Sequence, residues 1–441
     1  MYRLLPCLLA STALAACGGS EPPESAPTPE STAAPVETAP PPGIGATAYV
    51  GATIWDGTGG APRPETVLLV RDGRIESVGE PVPEGADVID LSGSWIVPGL
   101  INAHGHVSGR WAASGVTDVT EKIREDLRLY ARYGITTVLS LGGAPAEAAT
   151  VRAGREDPGL DYARLYMAGQ VINDSNEQDA GRIAITNTER GVDWIKIQVD
   201  DRLGTTRKMS WDAVQVVMNA SKVTDTPVAA HLYYMADAQR LLETGVGLLA
   251  HSVRDREVTD EFVQTLFDSG VCYVPTLMRE VSTFVYSQRP DFFDDPFFLA
   301  NANRREMARV TEPERMARVA NSPSAAVYRK ALVQAQDNLR ILLGSGIPIA
   351  FGTDSGPGGR FPGYFEHAEF NLMIDAGLTP REVLRSATST AATCLGLDDL
   401  GTLEAGKWAD FVVLAENPLQ DIRAMRTLQR VYVAGNRVPM P

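Results

Sequence analysis

The sequence predicts an α/β protein with a (β/α)8 TIM barrel and a small β-sandwich that is built from both termini. Three observations lead to this prediction. Short apolar runs alternate with helix-like periodicity through the middle of the chain, which is typical of a parallel α/β fold. Strand-like runs lie at both ends of that region. Four of the five histidines directly follow predicted strands.

The amino terminus resembles a bacterial lipoprotein signal. A basic start precedes an apolar run over residues 4–14, and the tetrad Leu14-Ala15-Ala16-Cys17 resembles a lipobox. The resemblance implies that residues 1–16 are removed and that Cys17 is lipidated, whereas in an ordinary signal peptide Cys17 would be incidental. The apolar run is too short to span a bilayer, so we expect a lipid anchor. Gly18 after the cysteine resembles outer-membrane sorting, with the protein facing the periplasm.

Residues 17–45 are rich in Pro, Glu, Ser, Thr and Ala, which predicts a disordered tether. The formal net charge of −15 argues against nucleic acid as a partner. Beyond the tether the chain has only the cysteines Cys272 and Cys394. A disulfide framework is therefore absent, although one bridge between these two is compatible with the sequence.

We assign residues 46–95 and 403–441 to the β-sandwich. Asp72-Gly73 separates two of its strands and predicts a tight hairpin. The predicted strands are Tyr49 to Ile54, Val67 to Val70, Arg74 to Val78, Asp87 to Asp90, Asp410 to Leu414 and Val431 to Gly435.

We assign residues 96–402 to the barrel. Its predicted strands lie near residues 96–102, 136–140, 164–168, 194–199, 228–231, 247–251, 271–275 and 347–352, and eight is the barrel count. Residues 277–322 exceed a normal connection and include an aromatic run from Phe292 to Phe298. This stretch is either a helical lid or substrate wall, or a peripheral helical insertion.

The histidines suggest a metal site. In His104-Gly105-His106, strand alternation places both imidazoles on one side, where they can reach one ion. His231 and His251 end two consecutive predicted strands and therefore lie on the same rim. A lone histidine after a strand is commonly a packed rim residue, but two in consecutive units make that explanation strained.

Lys196 and Asp354 extend this constellation. If Ile195 and Ile197 face the helices, Lys196 points into the barrel, where an unpaired ammonium is costly. A salt bridge would compensate, and so would a carbamate formed with carbon dioxide, which can bridge two cations. Asp354 follows the eighth strand and is either a helix N-cap or a carboxylate that touches a metal and accepts a proton from its bound water.

Together these motifs resemble the amidohydrolase superfamily from about Ala46 to the carboxyl terminus. The matching pieces, in the superfamily's order, are Val97 to His106, Asp193 to Ile197, His231, His251 and Phe351 to Asp354. Ala376 to Pro380 with Ala387-Thr388 resembles its final barrel helices, and Gly401 to Asp410 resembles its return to the β-sandwich.

The resemblance implies a centre of two divalent metal ions, with zinc as the expected metal. One ion would have the ligands His104, His106, Lys196 and Asp354. The other would have Lys196, His231 and His251, with Lys196 carboxylated and bridging. Hydroxide between the ions would attack the scissile carbonyl while Asp354 acts as general base and then as acid.

The strand around Lys196 and the triplet His231-Leu232-Tyr233 resemble the prolidase and imidazolonepropionase-related group. Tyr233 would either polarise the substrate carbonyl or pack on the rim. Other weaker candidates are His367 with Glu369, which contact substrate, contact the groups that surround the metal ligands, or lie on an exposed helix. Arg110, Arg279 and Arg360 could each bind a substrate carboxylate, and the sequence does not choose among them.

We therefore predict a metal-dependent hydrolase of an amide bond in a small substrate, such as an Xaa-Pro dipeptide or an N-acyl amino acid. A cyclic-amide hydrolase, a deaminase, or a lactone or phosphotriester hydrolase would use the same centre. A metal-binding lipoprotein without catalysis is the alternative of another class. Homo-oligomers are common in the superfamily, which is an analogy only.

Overall fold

The structure is a computed structural model that describes residues 45–440. The predicted signal, the lipidated Cys17 and nearly all of the predicted tether lie outside the described residues. Among residues 45–440, no helix is both long enough and apolar enough to cross a membrane.

The strands are numbered along the chain. They are β1 Ala46–Ile54, β2 Arg63–Arg71, β3 Arg74–Val78, β4 Asp87–Asp90, β5 Trp95–Pro98, β6 Leu100–Gly105, β7 Ile135–Ser140, β8 Arg164–Met167, β9 Ile195–Gln198, β10 Val228–His231, β11 Leu248–Ala250, β12 Cys272–Val274, β13 Phe411–Leu414, β14 Leu428–Val433 and β15 Asn436–Arg437.

The helices are numbered in the same way. They are α1 Val119–Ala131, α2 Ala148–Ala153, α3 Glu177–Glu189, α4 Trp211–Thr224, α5 Met235–Thr244, α6 Asp260–Ser269, α7 Leu277–Val281, α8 Pro296–Leu299, α9 Arg304–Val310, α10 Pro313–Ala320, α11 Pro323–Gly344, α12 Tyr364–Asp375, α13 Pro380–Ser386 and α14 Ser389–Leu395. Short 3-10 turns occupy Val285–Ser287, Asp291–Asp294 and Ile422–Arg426.

Strands from both termini form one mixed sheet, which confirms that the two ends of the chain build one small β domain. Its order is β15-β14-β13-β5-β1-β2-β3, with β4 beside β1. The ring of Phe411 lies 4.9 Å from that of Tyr49, so strands from the two ends of the chain share one core. Asp72 and Gly73 both have positive φ, the conformation of the tight hairpin that the sequence predicts.

Eight parallel segments close into a ring, which confirms the predicted barrel. Sheets β6-β7-β8 and β9-β10-β11-β12 supply seven of them, and residues 347–355 supply the eighth. Ile172 N donates to Lys196 O across the junction of β8 and β9, at 2.9 Å. The eighth segment bonds to both neighbours, through Ala350 N to Tyr273 O at 3.0 Å and through Ala103 N to Phe351 O at 2.8 Å.

The first barrel strand differs from the prediction of residues 96–102. β5 ends at Pro98 and belongs to the terminal sheet, where Val97 pairs with Val412, while β6 begins at Leu100. Gly99 lies between them, and a Cβ at this position would lie only 2.1 Å from Thr136 Oγ1. The apolar run continues from β5 through Gly99 into β6. The sequence pattern therefore does not reveal that this run contains two strands that belong to different sheets.

The aromatic run of residues 277–322 belongs to the protein core. The ring of Phe298 stacks on that of Phe293 at 5.3 Å and contacts that of Phe361 at 5.0 Å, just before α12. Only Arg279 from this stretch lines the cavity described below. The aromatic run therefore packs in the core and does not line the cavity, whereas the first helix of the stretch provides one wall residue.

Cys272 and Cys394 form a disulfide, with Cα atoms 5.8 Å apart. It joins β12 to α14 across a sequence separation of 122 residues. The sequence alone could not decide whether these two cysteines pair, because pairing depends on how the barrel brings the two segments together.

Candidate metal centre

The six predicted ligands converge at the rim formed by the carboxyl ends of the barrel strands. They line one cavity of about 310 Å³. They are His104, His106, Lys196, His231, His251 and Asp354. Four barrel strands and the eighth segment thus contribute to one site, as the closed ring requires.

The side chains of this group contact one another. The ring centroid of His251 lies 4.6 Å from that of His104 and 4.2 Å from that of His231. Asp354 Oδ1 lies 2.8 Å from His106 Nε2 and 3.7 Å from His104 Nε2. One ligand atom from each of His104, His251 and Asp354 lies within 4.8 Å of the other two, which is a spacing suited to a metal ion.

The hydrogen bonds of His106 and His231 determine which ring nitrogens remain free. His106 Nδ1 lies 2.7 Å from Gly142 O, and a carbonyl only accepts, so Nδ1 carries the proton. Its other nitrogen, Nε2, faces Asp354 Oδ1 at 2.8 Å, where either a proton on Nε2 or a metal ion can join the two atoms. His231 Nε2 donates to Asp200 Oδ2 at 2.9 Å, which leaves its Nδ1 as the free nitrogen.

Burial keeps the imidazoles of His104, His231 and His251 neutral. It lowers the pKa of His231 to about 4. It also holds the pKa values of His104 and His251 well below their usual range, with further lowering by neighbouring cationic groups. Neutral imidazole is the form that binds a metal ion, so the electrostatics of the cavity suit metal coordination better than protonation.

Lys196 points into the barrel, as the alternation of β9 predicts. Its Nζ is buried and has no hydrogen-bond partner among residues 45–440. Burial lowers the pKa of Lys196 to about 7, so a substantial share of the amine is neutral near physiological pH. Only a neutral amine adds to carbon dioxide, and an orphaned amine beside four imidazoles is therefore suited to become a metal-binding carbamate.

Asp354 is held in its charged form. Burial opposes its ionisation, but the ion pair with Arg360 and the hydrogen bond with His106 outweigh this and hold the pKa of Asp354 well below its usual range. Arg360 also donates from Nε to Ser282 Oγ at 3.0 Å. Asp354 has a φ of 58° and His251 a φ of 115°, and such strained backbone is concentrated at functional sites.

Two acidic residues of this region were missed by the sequence reasoning. Asp200 lines the cavity and orients His231. Its position at the end of the strand that carries Lys196 was an available signal. Glu366 on α12 lies behind the cavity and accepts hydrogen bonds from Asn102 and Thr353. Nothing in its helical sequence context distinguishes it from a surface glutamate.

The structure places the three arginines differently. Arg279 and Arg360 line the cavity. Arg279 pairs with Glu280 at 3.1 Å, and its guanidinium lies 4.7 Å from the ring centroid of Tyr328. Arg110 faces a separate cleft and pairs with Glu306 at 3.2 Å, so it is not a cavity residue.

Tyr233 is not on the cavity wall, contrary to the role predicted for it. It is buried against Tyr234 and Tyr328, and the guanidinium of Arg254 lies 4.7 Å from its ring centroid. β10 ends at His231, so the alternation that would place residue 233 on the same side as His231 no longer applies.

His367 is also remote from the cavity, contrary to the predicted substrate contact. It is buried on α12, donates from Nε2 to Tyr133 O at 2.8 Å, and packs against Phe297. Glu369 accepts hydrogen bonds from the backbone N–H groups of Leu277 and Met278, the first residues of α7. The helix α7 carries Arg279. Glu369 therefore affects the cavity only indirectly, by holding the helix that provides this wall residue.

Comparisons with known proteins agree with this geometry. A family model described as the amidohydrolase family matches residues 95–438. An imidazolonepropionase from Deinococcus radiodurans is 24% identical over 401 residues, which cover 84% of this chain and 91% of that protein.

Solved structures show the same fold. A prolidase candidate from Bifidobacterium longum matches with a TM-score of 0.72 at 23% identity, covering 90% of this chain and 95% of that one. A Xaa-Pro dipeptidase with methionine bound in its active site matches with a TM-score of 0.69 at 21% identity, covering 89% of this chain and 99% of that one.

Proposed function

The chain belongs to the amidohydrolase family and is a metal-dependent hydrolase of carbon–nitrogen bonds, and we propose that it cleaves the amide bond of a small substrate that bears a carboxylate. The substrate would be an Xaa-Pro dipeptide or an N-acyl amino acid. The observation that carries this proposal is the presence of Arg279 in the same small cavity as the four histidines, Lys196 and Asp354. A volume of about 310 Å³ suits a small ligand.

The residues present fit two divalent ions, for which zinc is the proposed identity. Free imidazole nitrogens, a buried carboxylate and the orphaned Lys196 Nζ form a donor set of nitrogen and oxygen that zinc prefers. Lys196 would be carboxylated and shared by both sites. When bound, the ions supply an activated water and polarise the scissile carbonyl.

Asp354 would move the proton. Its carboxylate faces the cavity and is ionised, so it can accept a proton from the attacking water. Arg360 and His106 hold the carboxylate in place through direct contacts. The proton would then pass from Asp354 to the leaving nitrogen as the carbon–nitrogen bond breaks.

Arg279 would bind the substrate carboxylate. Glu280 accepts a hydrogen bond from the guanidinium of Arg279, and the ring of Tyr328 packs on one face of that group. The orientation of the guanidinium is therefore fixed before substrate binds. Arg360 is less suitable, because its Nη1 already binds the proposed base Asp354 and its Nε binds Ser282. Arg279 is therefore the proposed substrate arginine of the two predicted ones that line the cavity.

The protein would act outside the cytoplasm, anchored by a lipid on Cys17 to the outer membrane. The support from the described residues is the disulfide between Cys272 and Cys394, because disulfides persist in oxidising compartments.

The test is amino-acid release from a panel of Xaa-Pro dipeptides and N-acyl amino acids, with a soluble form that begins near Gly45 and is loaded with zinc in bicarbonate. We expect release that disappears in Asp354→Asn while most of the metal stays bound. If wild-type protein carrying two zinc ions releases no amino acid from any member of the panel, the proposed substrate class is wrong. Retained turnover in Asp354→Asn would remove Asp354 as the base.

A further inference from the structure

The cavity has one short apolar wall. Leu141 and Val171 are its only aliphatic lining residues within the described part of the chain. They follow β7 and β8, the second and third strands of the barrel ring. The rest of the lining is polar, charged or aromatic: His104, His106, Lys196, Gln198, Asp200, Arg202, His231, His251, Arg279, Tyr328, Asp354 and Arg360.

The order of the strands places this apolar wall across the ring from Arg279, which forms a cationic wall. Val171 follows the third strand of the ring and Arg279 follows the seventh, and positions four steps apart in a ring of eight are opposite. A substrate whose amide lies between a carboxylate and an apolar group would satisfy both walls at once. Arg202, the remaining arginine of the lining, is exposed to solvent.

A second cleft of about 460 Å³ lies directly behind Val171. We call it the apolar cleft. Its buried or half-buried lining includes Met167, Val192 and Ala149, while its exposed rim includes Gly143, Gln170 and Arg190. Within residues 45–440, Val171 is the one residue that lines both the cavity and the apolar cleft.

Val171 packs closely on Gly142. A Cβ at Gly142 would lie 2.2 Å from Val171 Cγ2, so the backbone of Gly142 rests against this side chain. The carbonyl of Gly142 also accepts the hydrogen bond from His106. Val171 thus borders both the cavity of the proposed metal site and the apolar cleft, and its side chain packs on Gly142.

We propose that the enzyme hydrolyses substrates with an apolar acyl group, that this group lies against Leu141 and Val171, and that Val171 sets its maximum length. The inference rests on the proposed amide hydrolysis and names the acyl side of its substrate. The carbon–nitrogen bond breaks, the hydroxyl of water joins the acyl carbon, and the proton goes to the amine that Arg279 holds by its carboxylate.

The test compares kcat/KM for N-acetyl, N-butanoyl, N-hexanoyl and N-octanoyl derivatives of one amino acid, and for N-succinyl as the charged acyl group. Wild-type protein should prefer short apolar groups to the succinyl group. Val171→Ala should open the cavity into the apolar cleft and raise the octanoyl to acetyl ratio at least tenfold, because each buried methylene adds up to about fourfold.

Two further variants keep the result interpretable. Val50→Ala truncates a half-buried valine of β1 in the terminal sheet and should leave the ratio unchanged. Adding Ala149→Phe to Val171→Ala should fill the apolar cleft and reverse the gain. If Val171→Ala folds poorly, Val171→Thr keeps the shape of the side chain but replaces one methyl group with a hydroxyl, and should lower hexanoyl turnover relative to acetyl.

Calorimetric binding of octanoate and acetate to the zinc-loaded protein provides a readout that does not need turnover. Tighter binding of octanoate by Val171→Ala, but not by Val50→Ala, supports the inference even if no substrate of the panel is hydrolysed. An unchanged octanoyl to acetyl ratio together with unchanged octanoate binding overturns it, as does a wild-type preference for the succinyl group. Absence of all turnover with normal octanoate binding would instead contradict the proposed function.

Discussion

The side-chain amide of Asn102 donates a hydrogen bond of 2.6 Å to the buried carboxylate of Glu366. The same carboxylate oxygen accepts from the hydroxyl groups of Thr353 and Ser355, and the other accepts from Gly363 N. Asn102 precedes His104 on β6, while Thr353 and Ser355 flank Asp354. Glu366 therefore ties together the two chain segments that carry the first proposed ligands and the proposed base.

Glu366→Gln should disturb this junction. Both carboxylate oxygens of Glu366 accept hydrogen bonds, so the NH2 group of a glutamine would replace one acceptor and face a donor. A buried donor that is left without an acceptor costs about 1–3 kcal/mol. We expect zinc affinity to fall by about tenfold or more, because groups that orient metal ligands affect affinity on this scale. Zinc titration of the metal-free variant and denaturant unfolding check both effects.

Glu369→Gln is the matched control for this change. Glu369 is an equally buried carboxylate on the same helix, but it accepts from backbone N–H groups of α7 rather than from the ligand-bearing strands. The Glu369→Gln variant should have a lower free energy of unfolding without a comparable loss of zinc affinity. Equal zinc affinities for both variants would show that Glu366 supports only the fold.

Lys196→Ala should remove one zinc ion from the proposed pair. The buried Nζ has no other partner among residues 45–440, so its loss leaves the neighbouring hydrogen bonds intact. We expect the zinc content per chain to fall from two towards one and turnover to fall by about 100-fold or more. Short carboxylates such as acetate should restore part of both, because they can occupy the place of the carbamate.

Lys208→Ala controls for loss of a lysine, since Lys208 pairs with Asp237 on α5. Metal analysis and turnover with and without bicarbonate measure the effects. Wild-type protein that binds two zinc ions equally well in carbon dioxide-free buffer would argue against carboxylation.

Glu369 should make stability fall as pH rises. Burial raises the pKa of Glu369 to about 8 from an ordinary value of 4.5, so the folded protein holds this proton at neutral pH while the unfolded chain has lost it. Between about pH 4.5 and pH 8 unfolding therefore releases a proton, and the free energy of unfolding decreases with pH. Denaturation midpoints of the metal-free protein from pH 5 to pH 8 should show a steeper decline for wild type than for Glu369→Gln.

Parallel pH curves for these two proteins would mean that Glu369 is ionised in the folded state. The two backbone N–H groups that it accepts would then be sufficient to stabilise its charge.

Replacing both Cys272 and Cys394 with alanine should lower the free energy of unfolding by about 2–4 kcal/mol. The bridge closes a long loop between β12 and α14 and so restricts the unfolded chain. Equilibrium unfolding with and without reductant measures this. Reductant should destabilise wild-type protein and leave the double variant unaffected, and no effect on either would show that the thiols are unpaired in solution.

The barrel ligands could be located from the sequence because they depend on local pattern. His104, His231 and His251 each follow an apolar run directly, and parallel strands of a barrel end on one rim whatever the helices between them do. Lys196 between two isoleucines could be oriented in the same way, from strand alternation alone. The sandwich strands and the Asp72-Gly73 hairpin are predictable for the same reason.

Other residues were decided only by tertiary structure. Tyr233 leaves the rim because β10 ends two residues before it, and His367 is buried because α12 turns it towards Tyr133. Asp200 and Glu366 gain their roles from partners 31 and 264 residues away in the chain. Local sequence determines which side of a strand a residue takes, because that follows from backbone geometry. Contacts between distant segments depend on how strands and helices pack, and no local pattern encodes them.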